Sequence, residues 1–120
     1  VREKARPKFY WFDPGVASAA AGLLRDPADW TWQGTALETL IYHELSVYNE
    51  TSGKHRRLYY YRTAAGVEVD FIIGTARRRP NLPPAVVAIE IKRAQKWDRA
   101  WNKPMRNLTG TSGVKVNRLS

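Results

Sequence analysis

VEVDFII at residues 67–73 and AVVAIEIK at residues 85–92 decide how this chain folds. Side chains alternate faces along a strand, so Val67, Val69, Phe71 and Ile73 share one face of the first segment, and Glu68 and Asp70 share the other. In the second segment Val87, Ile89 and Ile91 point one way, while Ala88, Glu90 and Lys92 point the other. If the two strands are neighbours with their polar faces aligned, an Asp, a Glu and a Lys converge. Carboxylate oxygens suit a hard divalent cation, and an ammonium can position water or offset developing charge, which is the residue set for cutting a phosphodiester.

Charge sharpens the point. Residues 61–120 hold twelve Lys and Arg against four Asp and Glu, so +8 of the chain's +9 lies there, and three of those four acids are Glu68, Asp70 and Glu90. A polyanion-binding surface would ordinarily shed carboxylates, and strands disfavour them, so their retention implies that their charge is used. The competing reading is an antiparallel sheet that simply wets one face.

With 120 residues, the chain is expected to be a single domain, spanning 1–120, with room for a real core. The lack of Cys excludes disulfides and thiolate metal sites and is compatible with a cytoplasmic location. No stretch approaches the about 20 apolar residues of a membrane span, and no secretory signal pattern opens the chain. Strong positive charge favours an anionic partner, nucleic acid first and an acidic membrane surface second. Composition leaves oligomerisation open.

Along the chain, the FYWF run at 9–12 reads as a short strand or docking segment. Asp13-Pro14-Gly15 signals a helix start with Asp13 as N-cap. Residues 25–33 read as a connection. Leu37, Leu40, Ile41, Leu45 and Tyr48 recur at helical spacing, predicting a helix over 35–48 with Thr35 and Glu38 as a capping box and Thr51-Ser52-Gly53 as its close. A strand over 58–62, a turn at Ala65-Gly66, the two decisive strands and a basic Pro-bearing loop over 74–84 follow. Beyond Lys92 a helix through Trp97 and Trp101 is expected to end near Pro104, and a last strand to begin at Gly113.

The order of a helix with Gly34-x-x-x-Glu38, a strand with Asp70, and a strand with Glu90-x-Lys92 resembles the PD-(D/E)xK nuclease superfamily. KFYWFDPGVASAAAG, GTALETLIYHEL, LYYYRTAAGVEVDFII and AIEIKRA, in that order over residues 8 to 94, are similar to the uncharacterised nuclease-like domain at the C-terminus of many prokaryotic AAA+ ATPases. The Pro of the superfamily's name is Val69 here, and no Gln-x-x-x-Tyr element follows the lysine, since Arg99 stands four positions after Gln95. The resemblance implies an α/β fold, a mixed β-sheet core flanked by helices in the restriction-endonuclease manner. It implies Mg²⁺ or Mn²⁺ ligated by Asp70 and Glu90 with the Ile91 carbonyl, Lys92 acting on the water, and Glu38 holding a metal-bound water or second ion. It also implies DNA as substrate and an ATPase domain upstream in the same polypeptide, of which this chain would be a C-terminal fragment.

Glu44 competes with Glu38. It lies seven positions from Leu37, on the expected apolar stripe, where a carboxylate must be paired or functional; Gly34 supplies the spacing that puts Glu38 ahead. Arg62, Arg77, Arg78, Arg79, Arg93 and Lys96 are candidate nucleic-acid contacts. For Arg62 an ion pair with Glu68 or Glu44 is the blander alternative, and for the Arg77–Arg79 run a solvated loop. The Tyr and Trp residues could stack bases, although aromatics at such spacings more often fill cores. No Walker A sequence is present, so this piece hydrolyses no NTP. Three function classes follow: a metal-dependent nuclease, a non-cutting nucleic-acid-binding or regulatory module, and an assembly domain for an ATPase neighbour.

Overall fold

The computed structural model describes residues 7–75, 80–82, 85–96, 98–112 and 115–116, with side chains described up to residue 110. The chain forms two compact units, Val1–Tyr48 and Asn49–Ser120. The division separates charge: the first carries five Lys and Arg against six Asp and Glu, the second fifteen against five. Helices and strands combine as mixed α/β, matching the class expected from the sequence.

In the first unit, α1 (Pro14–Ala20) starts as the sequence predicts. The Asp13 carboxylate accepts the Val16 N–H at 3.0 Å, satisfying a donor that has no partner inside the helix, and Pro14 occupies the first turn, where its missing N–H costs nothing. Helix α2 (Trp30–Thr51) is longer than the expected 35–48. Asp29 caps it, accepting the Trp32 N–H at 2.7 Å, so the Thr35–Glu38 capping box is not formed. Thr35 lies inside the helix, and its hydroxyl donates back to the Thr31 carbonyl at 3.1 Å.

The face of α2 also differs from the expected stripe. Thr39 is fully buried, whereas Leu40, Glu44, Val47 and Tyr48 lie along the exposed side. Helical spacing identifies the period correctly, but α2 has apolar residues around its whole circumference, so the period alone cannot choose the buried arc. Residues 8–11 dock on this helix as an irregular segment. Tyr10 stacks on Tyr42 with centroids 4.2 Å apart, and His43 Nε2 donates to the Trp11 carbonyl at 2.8 Å.

The second unit begins in the last turn of α2. The Asn49 side chain accepts the Arg56 N–H at 2.7 Å and donates to the Arg56 carbonyl, fixing the approach to the sheet. Gly53, at φ 63°, takes the left-handed conformation that ends the helix. The sheet has strand order β1-β2-β3-β4: β1 (Leu58–Arg62), β2 (Glu68–Gly74) and β3 (Ala85–Ile89) are antiparallel neighbours, and β4 (Lys115–Val116) adds in parallel to β3. Thr63 and Val67 close the β1–β2 turn through Thr63 N–H to the Val67 carbonyl at 2.9 Å, and Gly66 supplies its positive φ of 82°.

Alternation on β2 holds: Val69 and Phe71 are buried, and the register sets Phe71 opposite Ile89 and Ile73 opposite Val87, so these side chains share a face. Val86 lies opposite Gly74 on the other face and is buried as well. The sheet is therefore covered on both sides near β3. The helix expected through Trp101 with its end near Pro104 is instead a short 3₁₀ helix (Arg99–Asn102) leading into α3 (Lys103–Ser112). Pro104 sits in the first turn of α3, where proline starts a helix rather than stopping it. Trp97 lies outside the described residues. Helix α3 packs along β2 and β4; its Leu108 is buried, and Asn107 Oδ1 accepts the Tyr61 hydroxyl at 2.8 Å.

Candidate active site

Continuing the β2–β3 register one step beyond Phe71–Ile89 sets Asp70 directly opposite Glu90, so the two carboxylates project from the same face of adjacent strands. Strand β3 stops at Ile89, short of the expected Lys92. Just past its end, Asp70 Oδ2 accepts the Ile91 N–H at 2.7 Å, so this donor is satisfied by a carboxylate. Lys92, two positions on, forms an ion pair with Glu90 Oε1.

The Glu90 side chain is only 9% exposed, and its Oε2 is buried without a hydrogen-bond partner. A wet sheet face does not explain such a residue. Burial, helped by the neighbouring Asp70 charge, raises its pKa above the ordinary value of 4.5, while the Lys92 hydrogen bond and charge and a hydrogen bond from the Asp70 main chain oppose the rise. Lys92 itself is 39% exposed and can reach solvent.

In kind, these donors fit a hard divalent cation. Mg²⁺ is commonly held by one or two carboxylates, with waters and substrate phosphates filling the remaining positions, and Glu90 Oε2 is an acceptor still lacking a partner. Among the described residues, no group of three or more His, Cys, Asp and Glu converges.

The other candidates fall elsewhere. Glu68 lies opposite Arg62 in the β1–β2 register, and Arg62 Nε stands 3.7 Å from its carboxylate, one of the two partners expected for Arg62. Glu38 belongs to the first unit, where it is ion-paired with Lys8. No local sequence signal announces Lys8 as a partner, because the two meet only through docking of the 8–11 segment. Glu44 is exposed rather than part of a buried stripe, which removes the reason for pairing it with a buried base. Arg93 and Lys96 are exposed in the second unit; Arg77, Arg78 and Arg79 lie outside the described residues. No described helix is long and apolar enough to cross a membrane.

Neither the curated proteins nor the solved structures contain a match to this chain. A family model described as a domain of unknown function, DUF4143, matches residues 33–117, a stretch that includes Glu38, Asp70, Glu90 and Lys92. With more than half of its length matched, the chain belongs to the DUF4143 family.

Proposed function

We propose that this chain is a metal-dependent nuclease-like domain of restriction-endonuclease type, hydrolysing DNA phosphodiester bonds as the C-terminal part of an AAA+ ATPase. The observation that carries the reading is the closeness of Asp70 to a buried Glu90 whose second oxygen lacks a partner, with Lys92 on its first. Isolated surface charges would not be arranged this way, because burying a carboxylate without satisfying it costs stability. Asp70 and Glu90 would hold Mg²⁺ or Mn²⁺. When bound, such an ion neutralises phosphate charge and lowers the pKa of water.

The chain's own groups have distinct tasks. Asp70 is held in place by the Ile91 N–H, so its orientation is fixed before substrate arrives. Lys92 orients the attacking water and offsets the charge that builds as the new P–O bond forms and the bond to the leaving oxygen breaks. Glu38 is the helix carboxylate that the superfamily resemblance adds to this set. Arg62, Arg93 and Lys96, with the Arg77–Arg79 run, would contact phosphates.

A non-cutting nucleic-acid-binding or assembly module is the second reading. It is favoured by the closed Glu90–Lys92 pair and by the convergence of two carboxylates rather than three. Plasmid and oligonucleotide cleavage in Mg²⁺ and Mn²⁺ separates the two. Wild-type cutting that disappears in Asp70→Asn and Lys92→Ala, with circular dichroism unchanged, supports the nuclease. A wild-type protein that binds DNA but cuts nothing across metals and substrates is the module.

A further inference from the structure

We propose that the solvent side of the 3₁₀ helix and α3, carrying Arg99, Lys103 and Arg106 with Lys96 three positions before it, holds the phosphate backbone of a nucleic acid without reading its sequence. The identity of the polyanion rests on the nuclease reading; the surface itself is read from the fold. All four side chains are exposed, and among the described residues none forms an ion pair. Asp98, the acid within this stretch, is already engaged, accepting the Ala100 N–H at 2.8 Å as the cap of the 3₁₀ helix.

The helix geometry separates two faces. At 100° per residue, Met105, Asn107 and Leu108 occupy one arc of α3, and Asn107 and Leu108 anchor it to the rest of the unit. Lys103, Arg106, Thr109 and Gly110 occupy the opposite, exposed arc. The Thr109 hydroxyl is turned back onto the helix, with acceptors at Met105 and Arg106 at 3.2 and 2.9 Å, and an added Cβ at Gly110 would meet nothing within 4 Å. Two cations thus lie next to a low, small-residue surface, one turn further along the helix, that a backbone can approach closely.

The exposed arc of α3 offers long cations and small residues. It carries no Asn or Gln amide to pair with adenine and no aromatic ring to stack bases, which leaves Lys103 and Arg106 to meet phosphates. Binding should therefore be steeply salt-dependent and indifferent to sequence. An acidic membrane is disfavoured because α3 shows no apolar side chain on this arc to enter a bilayer.

Fluorescence anisotropy with labelled oligonucleotides of two unrelated sequences, in EDTA so that nothing is cut, tests the inference on the full chain. Neutralising Lys103→Gln with Arg106→Gln should weaken both sequences equally. It should also reduce the slope of log affinity against log salt by about 1 per cation removed. Arg25→Gln with Arg57→Gln, which removes the same net charge from other exposed positions, should leave the slope near wild type. Equal slopes for wild type and the α3 variant would overturn the inference, as would loss confined to one sequence. Vesicles containing anionic lipid that bind the wild type while oligonucleotides do not would also overturn it, and would show a membrane partner. Because no step here depends on cutting, a protein that binds as expected but never cleaves in Mg²⁺ would retire the nuclease reading and leave this surface standing.

Discussion

Each unit of the molecule holds a lysine–glutamate pair with its carboxylate largely buried, yet the two pairs have different surroundings. Lys8 and Glu38 join the docked N-terminal segment to α2, and both side chains are about one-fifth exposed. Glu90 and Lys92 sit where β3 leaves the sheet, with a second carboxylate opposite, and with one oxygen of Glu90 buried and unpartnered. The first pair ties two pieces of backbone together. The second concentrates negative charge where burial opposes it, an arrangement that a bound cation would relieve. An ion pair is therefore informative through what surrounds it rather than through its own distance.

The largest expected effect tests that contrast directly. If the chain is the nuclease proposed above, Asp70→Asn and Lys92→Ala should each lower metal-dependent cleavage by about 100-fold or more, because on that reading each removes a group that meets the reacting phosphate or its ion. Asp70→Asn should also abolish Mg²⁺ binding by calorimetry, and Zn²⁺ should show no dedicated site, since among the described residues no Cys or His converges with the two carboxylates. Glu38→Gln should cost less, about 10- to 100-fold, if it holds a water rather than the ion. Loss as deep as that of Asp70→Asn would erase the distinction between the pairs.

A smaller effect concerns the pH dependence of stability. Because burial raises the Glu90 pKa above 4.5, the fold favours its protonated form. That stabilisation is complete below the unfolded value and is lost as pH rises through the higher folded value. Glu90→Gln, neutral at every pH, should not suffer this loss. In EDTA, melting temperatures should therefore shift in favour of the variant as pH increases across that window. A shift in favour of the wild type would mean that Lys92 outweighs burial.

Much of the second unit was legible because period-two alternation survives in β2 and Ala65-Gly66 reads as the turn that pairs it with β1; the buried Val86 on the other face of β3 and the register shift between Tyr59 and Tyr61 were not. The meeting of Asp70 with Glu90 was legible for the same reason. The end of β3 was not; just past it, a side chain on the neighbouring strand takes the Ile91 N–H. In the first unit, the start of α2 was missed because Trp30-Thr31-Trp32 carries little helix propensity, and Asp29 supplies the cap that overrides it. Asp29→Ala should accordingly destabilise the protein by about 1 kcal/mol, while Thr35→Ala should not, and thermal melts of the two variants test that start site.

The smallest effect falls on Glu44, where the sequence expectation and the structure part most clearly. A carboxylate on a buried apolar stripe, matched to a base, would cost about 1 to 3 kcal/mol when neutralised, because its partner would be stranded. The exposed side of α2 places Glu44 among Leu40 and Val47 in solvent, where a substitution typically changes stability by no more than about 0.5 kcal/mol. Glu44→Gln should thus leave both the melting temperature and cleavage close to wild type. Glu38→Gln, by contrast, leaves Lys8 without its carboxylate and should lower cleavage. Thermal melts and cleavage assays on this pair of variants compare two acids on one helix. Reversal of the pattern, with Glu44→Gln impairing cleavage and Glu38→Gln silent, would move the helix carboxylate to Glu44 and make the Lys8 pair purely structural.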